Sequence, residues 1–246
     1  MSVTQSVTQS VPVKRLAFVR RAAGVAAADF ADAWRREVAQ RIAEAAGAAP
    51  LARAHCIGRD QRDAAPHHGV AIEWFADDAA LTAFDAAGTR LPPSASATVE
   101  SAPAVRVRAR YVSGDDAALA QWRADAAGAA PRTPVLIGLI QREPRLTRAA
   151  FADYWWSRHR PLADALVPAE LGPAVYVHNY VLDREPGEWD GVGELYERSL
   201  DTARLRGEWF ASDAAAELIA DEERFLVRAT RALVVCDQEL VWSSAG

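Results

Sequence analysis

Phe30-Ala31-Asp32-Ala33-Trp34 returns later in the chain as Phe151-Ala152-Asp153-Tyr154-Trp155, an offset of 121 positions (151 against 30). Two further landmarks keep the order and nearly the spacing. Pro50…His55 answers to Pro173…His178 at 123 positions (178 against 55), and Gly69-Val70 to Gly191-Val192 at 122 (191 against 69). Three landmarks in one order at nearly one offset point to an internal duplication, each copy taking about half of the 246 residues.

Each half reads with the same element order. In the second, Pro134–Gln141 is a short apolar run, the pattern of a buried strand. Thr147 is a helix N-cap, and Phe151, Trp155, His159, Leu162 and Leu166 then share one helical face. Ala174–Asp183 is Val- and Tyr-rich and reads as strand. A polar turn, 184–190, leads into a strand at 191–198. A helix follows from Leu200 to Leu226, broken near Ser212-Asp213, and a last strand spans 230–242. The first half gives strands near 13–19, 51–57, 69–75 and 105–112, with helices near 27–46 and 77–87. Residues 88–103 are rich in Pro, Ser and Thr and read as loop, and 115–126 as a linking helix.

The order β-α-β-β-α-β, twice, predicts an α+β protein of two tandem ferredoxin-like repeats. Helices cover one sheet face only, so the other face needs a partner. A second copy in the same chain supplies it, closing an intrachain dimeric α/β barrel. The expected division is a disordered leader at 1–12, a repeat with its linker helix at 13–127, and a second repeat at 128–246.

Composition narrows the function. Half the residues are hydrophobic and a quarter charged, with 28 basic against 33 acidic side chains and a net charge of −5. Lys14 is the only lysine, and no basic run exists, so no nucleic-acid partner is expected. Cys56 and Cys236 are far apart inside apolar runs and read as buried free thiols. No membrane partner is expected, because no run of about 18 apolar residues occurs. The polar leader lacks the features of a signal peptide, so a cytoplasmic location is expected. His67 and His68 are neighbours on a strand start, aimed to opposite faces, so no metal site is expected. A dinucleotide fingerprint and a serine elbow are both missing.

Candidate chemistry gathers in the second half. Pro161 has no N–H to bond the Ser157 carbonyl, so the helix should distort or end there, leaving His159 at a pocket mouth. A histidine so placed is a general acid or base near neutral pH. Tyr176, His178 and Tyr180 alternate on one strand and project from one face, a ring-lined surface suited to a flat aromatic or enolic substrate. Glu194 and Tyr196 share another strand face, where Glu194 is a candidate to orient an imidazole or serve as a second base. Trp155 reads as core, and Trp189, in a Gly- and acid-rich turn, as a lid residue.

Phe151-x-x-Tyr154-Trp155-x-x-x-His159-x-Pro161-Leu162 resembles the EthD-like family of the dimeric α/β-barrel superfamily. Asp190–Tyr196 is similar to that family's third strand, and Ala220–Leu226 to the acidic stretch before its last one. The resemblance adds Tyr154 to the candidate site. Ala33, Val38 and Gln40 stand in the first half where Tyr154, His159 and Pro161 stand in the second, so the first copy reads as scaffold. The superfamily's relatives include polyketide cyclases, dehydratases or decarboxylases, lactone isomerases, cofactor-independent monooxygenases and haem-binding members. The expectation is a cofactor-free enzyme on a small flat carbonyl or polyketide-like substrate, of cyclase, dehydratase or decarboxylase type. His159 would act as base, with Tyr176 and His178 polarising the carbonyl. The alternatives are a cofactor-free monooxygenase, a non-catalytic binder of a hydrophobic metabolite and, last, a haem protein. A small-molecule substrate is the expected partner, with a homodimer left open.

Overall fold

The computed structural model describes residues 13–44, 51–86, 98–101, 104–128, 132–182 and 189–243. The expected leader at 1–12, most of the expected loop at 88–103 and most of the polar turn at 184–190 lie outside these residues.

The first half contains β1 (Val13–Arg21), α1 (Ala27–Glu44), β2 (Ala52–Gly58), β3 (Gly69–Phe75), α2 (Asp78–Ala86), β4 (Val99–Ser101) and β5 (Ala104–Ser113). Helix α3 (Asp116–Gly128) links it to the second half. There follow β6 (Val135–Ile140), α4 (Arg148–Tyr154), a π-helical turn (Trp155–His159), α5 (Arg160–Leu166), β7 (Val175–Val181), β8 (Gly191–Tyr196), α6 (Leu200–Phe210), α7 (Ala216–Glu222) and β9 (Ala232–Ser243). The break expected near Ser212-Asp213 is present, as a 3-10 turn at Asp213–Ala215 between α6 and α7. The short β4, which pairs with β1 at Arg20 and Arg21, lies within a segment expected to be loop.

Eight strands close a barrel in the order β3-β2-β9-β6-β8-β7-β5-β1, with β1 returning to β3 and every pairing antiparallel. Each half contributes four neighbours in the same order: its first strand lies between its third and its last, and its second strand lies outside the third. The seams between halves are β2–β9 and β5–β7. A closed sheet leaves no unpaired edge on these eight strands.

Alternation along the strands sorts side chains to two sides. Leu16, Phe18, Ile72 and Val107 from one half meet Val135, Ile137, Val177 and Val192 from the other inside the barrel. Leu119, Trp122 and Ala126 of α3 join that core. On the outer wall Phe30 and Trp34 of α1 pack over Ala17, Val19 and Ala71. Phe151 and Trp155 pack with Ile140, Phe225 and Leu226.

The interior is not wholly apolar. Lys14 reaches Glu194 at 3.0 Å with both side chains shut off from solvent. Cys56 and Cys236, both free and buried, sit on the inner wall of the β2–β9 seam, where Cys56 faces Gln238 and Cys236 faces Gly58. Among the described residues no helix is long and apolar enough to cross a membrane.

Candidate functional site

The candidate site forms on the outer wall of the second half, under α4, the π turn and α7. Helix α4 starts as its sequence predicts, with the Thr147 hydroxyl accepting from the Ala150 N–H at 3.1 Å. At Trp155 the ladder slips. The Arg160 N–H donates to the Trp155 carbonyl, five residues back, and Pro161 offers no N–H to the Ser157 carbonyl. The expected distortion is therefore present, but the helix does not end and continues to Leu166. The turn holds both Trp155 and His159 buried against the core.

His159 Nδ1 shares a 2.9 Å hydrogen bond with Asp221 Oδ2 at the end of α7. Tyr154 donates its hydroxyl to the other oxygen of Asp221 at 2.7 Å and stacks on Phe225, ring centroids 5.3 Å apart. One carboxylate thus accepts from a phenol and an imidazole five residues apart in the chain. Nε2 of His159 has no partner among the described residues and is not sealed from solvent. Burial and the Asp221 bond raise the Tyr154 phenol above its ordinary range.

Tyr176, His178 and Tyr180 all project outward, as their alternation predicts, while Val175, Val177 and Asn179 turn into the barrel. His178 is stacked on Trp155 at 3.8 Å between centroids and 19° between planes, with Tyr176 edge-on at 4.8 Å. Burial, then the fields of His159, Arg160 and Arg110, hold the His178 ring well below the usual histidine range, so it is neutral. Tyr180 lies edge-on to Trp155 at 5.6 Å and is pushed up to about 12, mainly by burial. Burial also raises Tyr176 well above its ordinary value.

Glycines make the floor. Across the wall, His178 faces Gly193 and Gly193 faces Gly138. A Cβ on Gly138 would meet nothing within 4 Å, and one on Gly193 would meet only Tyr176 and Leu195, at 3.6 Å and beyond. Gly191 is different: its Cβ would lie 2.7 Å from the Trp155 ring, so its lack of a side chain lets the helix approach.

The first half closes the same place. By register His55 corresponds to His178, Ala71 to Gly193 and Ala17 to Gly138. The two alanines pack under Phe30 and Trp34. Arg53, at the place of Tyr176, and Arg15 both bind Glu73, at 3.2 and 2.7 Å. His55 stacks on Trp34 at 5.2 Å and 20°, just as His178 stacks on Trp155. A His–Trp stack present in both halves is a packing device of the wall, and only the second half adds a hollow to it.

Some expectations are corrected. Glu194 and Tyr196 do not meet the His159 group, because they point to the inner side of the wall. Glu194 there accepts from Tyr196 at 2.5 Å, Asn179 at 2.8 Å and Lys14 at 3.0 Å. An even spacing puts two side chains on one face but does not say which face lies inside. Trp189 is half-buried against the barrel core. Asp221, Glu222 and Arg231 went unread as site residues. Glu222, buried, binds Arg231 at 3.2 Å and Arg228 at 3.5 Å, and both Arg231 and Glu222 act electrostatically on the Tyr176 phenol. Only the acidic stretch before the last strand, Ala220–Leu226, signalled the two carboxylates, and nothing signalled Arg231. Among the described residues no group of three or more His, Cys, Asp or Glu side chains is placed to hold a metal ion.

Residues 143–229 match the family model of the EthD domain. No curated protein matches the chain. Among solved structures, an anthrone oxidase-like protein shares the fold at a TM-score of 0.64 and 10% identity, covering 97% of this chain and 98% of its own. A proposed chlorite dismutase is similar at a TM-score of 0.52 and 11% identity, with 94% and 96% covered. A proposed monooxygenase from Lactobacillus acidophilus NCFM stands at 0.50 and 11%, again with 94% and 96% covered. At these identities the likeness is one of fold alone. The match to the EthD domain model thus falls within the second half, set into an eight-stranded α/β barrel that one chain closes by itself.

Proposed function

We propose that the chain is a duplicated βαββαβ unit whose first copy, 13–127, is scaffold and whose second, 128–246, is an acid–base enzyme working without a cofactor. Its substrate is a small, flat, enolisable carbonyl compound of aromatic polyketide type. One observation carries this reading: the Asp221 bond at Nδ1 leaves Nε2 of His159 as the free nitrogen, on the same outer wall that Gly138 leaves open and that His178 and Gly193 share.

His159 Nε2 takes a proton from the carbon next to the carbonyl. Asp221 fixes the tautomer and stabilises the imidazolium as it forms, and Tyr154 holds Asp221. Tyr176 has no hydrogen-bond partner among the described residues and donates to the carbonyl oxygen as negative charge builds there. His178, neutral and stacked, shapes the wall. The resulting enolate then adds to a second carbonyl and closes a ring, or expels a β-hydroxyl that leaves as water with the proton held by His159, as in a cyclase or dehydratase; a decarboxylase would reach the same enolate by losing CO2 and take its proton from the His159 imidazolium.

A second reading has the same first step. An electron-rich enolate can react with oxygen, and the fold shared along the whole chain with an anthrone oxidase-like protein favours that course. Proton exchange at carbon, followed by NMR in heavy water on a panel of flat enolisable ketones including anthrone, tests the shared step. His159→Ala should lower the exchange rate by about 10²–10⁴ without unfolding the protein. Oxygen consumption alongside exchange selects the oxygenase. Exchange that survives His159→Ala undiminished removes both readings.

A further inference from the structure

Beyond the hollow, the outer wall at the β5–β7 seam carries arginines at alternate positions, Arg106, Arg108 and Arg110. Two are matched by carboxylates of α2: Arg106 lies 3.0 Å from Asp85 and Arg108 lies 3.3 Å from Asp78. Arg110 has no carboxylate partner among the described residues. It crosses the seam instead, with its guanidinium carbon 3.2 Å from the centroid of the Trp156 ring. Arg160 approaches the same ring at 4.4 Å. Its carboxylate neighbour, Asp164, stands 3.5 Å off and is mostly exposed, and its Nε is buried with no hydrogen bond.

Two cations on one indole repel each other, and a single exposed carboxylate does little to offset them. The phenol of Tyr180 and the neutral ring of His178 lie within the field of both guanidinium groups. The π turn creates the arrangement, since Trp156 belongs to it and Arg160 follows it directly. Paired guanidinium donors with an aromatic platform match the planar geometry of a bound oxyanion.

We propose that Arg110, Trp156 and Arg160 form an oxyanion-binding notch at the seam between the halves, taking a carboxylate or phosphate group. The notch joins β5 of the first half to the π turn of the second, so the scaffold copy contributes a ligand of its own.

Benzoate and inorganic phosphate, titrated separately into the full-length protein by calorimetry at low salt, test this. At least one should bind in the millimolar range or tighter. Benzoate alone identifies a ring-borne carboxylate, and phosphate alone a phosphate group. Arg110→Gln and Arg160→Gln should each weaken binding by about tenfold or more, whereas Arg158→Gln, an exposed charge on the same turn, should change it by less than about twofold. Arg110→Lys keeps the charge and loses the fork, and it too should weaken binding. No heat from either probe, or an Arg158→Gln loss equal to that of Arg110→Gln, overturns the proposal.

Discussion

His159 and Asp221 lie 62 positions apart in the chain, yet Nδ1 and Oδ2 are 2.9 Å from each other. The contact joins the π turn to the end of α7, and Tyr154 closes on the same carboxylate from the preceding turn. Since a carboxylate only accepts, Nδ1 carries the proton, and in the neutral ring it is Nε2 that presents a lone pair.

Asp221→Asn keeps the shape and loses that constraint, because an amide both donates and accepts. Turnover should fall by about 10² or more, with little change in stability. Nitrogen NMR of the His159 ring should show a proton held on Nδ1 in the natural protein and a mixture of tautomers in the variant. Tyr154→Phe, which leaves the His159 bond in place, should cost less. An Asp221→Asn protein with natural turnover would leave the dyad without a catalytic role.

The glycines of β6 and β8 make opposite predictions. Gly191→Ala places a methyl 2.7 Å from the Trp155 ring and should destabilise by about 1–3 kcal/mol, measured by urea denaturation. Gly138→Ala adds a methyl that meets no atom within 4 Å, so it should be neutral or slightly stabilising in a strand. It should nevertheless weaken substrate or product binding, and Gly138→Leu should abolish it. Binding indifferent to Gly138→Leu would place the ligand elsewhere.

The contrast between these glycines marks how far the sequence could be read. Landmark offsets of 121 to 123 point to a repeat, and the register sets His55 opposite Ala71 as it sets His178 opposite Gly193, on the same spacing. Strand alternation correctly grouped Tyr176, His178 and Tyr180. It could not assign Glu194 to the inside, because both walls of a closed barrel are buried and hydropathy no longer distinguishes them. Asp221 was hidden for another reason: its partner is set by how α7 packs, which no local spacing records.

Stability should fall on mild acidification. His55 and His178 are both buried, and burial holds each well below the ordinary histidine range. Below a pH of about 6.5 the unfolded chain binds protons that these rings refuse in the folded state, so folding weakens as pH drops. The loss approaches about 1.4 kcal/mol per pH unit for each ring until its own folded titration is reached. Denaturation midpoints from pH 7 to 5 should show this slope. His55→Phe, which keeps an aromatic ring on Trp34, should reduce it. An unchanged slope in His55→Phe would mean that the ring binds protons alike in the folded and the unfolded chain.

The buried pair Lys14–Glu194 ties β1 of the first half to β8 of the second through the barrel interior. Burial lowers the Lys14 ammonium below its usual range, while Glu194 pulls it back up. Lys14→Met removes one partner and strands a carboxylate that then keeps only Tyr196 and Asn179, so the protein should lose about 3–5 kcal/mol. Replacing both residues, Lys14→Met with Glu194→Gln, leaves no buried charge and should recover a large part of that loss. Because the pair spans the two halves, Lys14→Met should also widen the urea transition if the halves begin to unfold separately, whereas the double variant should restore a single sharp one. A double variant no more stable than Lys14→Met would show that the ammonium acts through its cation–π contact with Trp74, 5.3 Å away, and not through its pairing with Glu194.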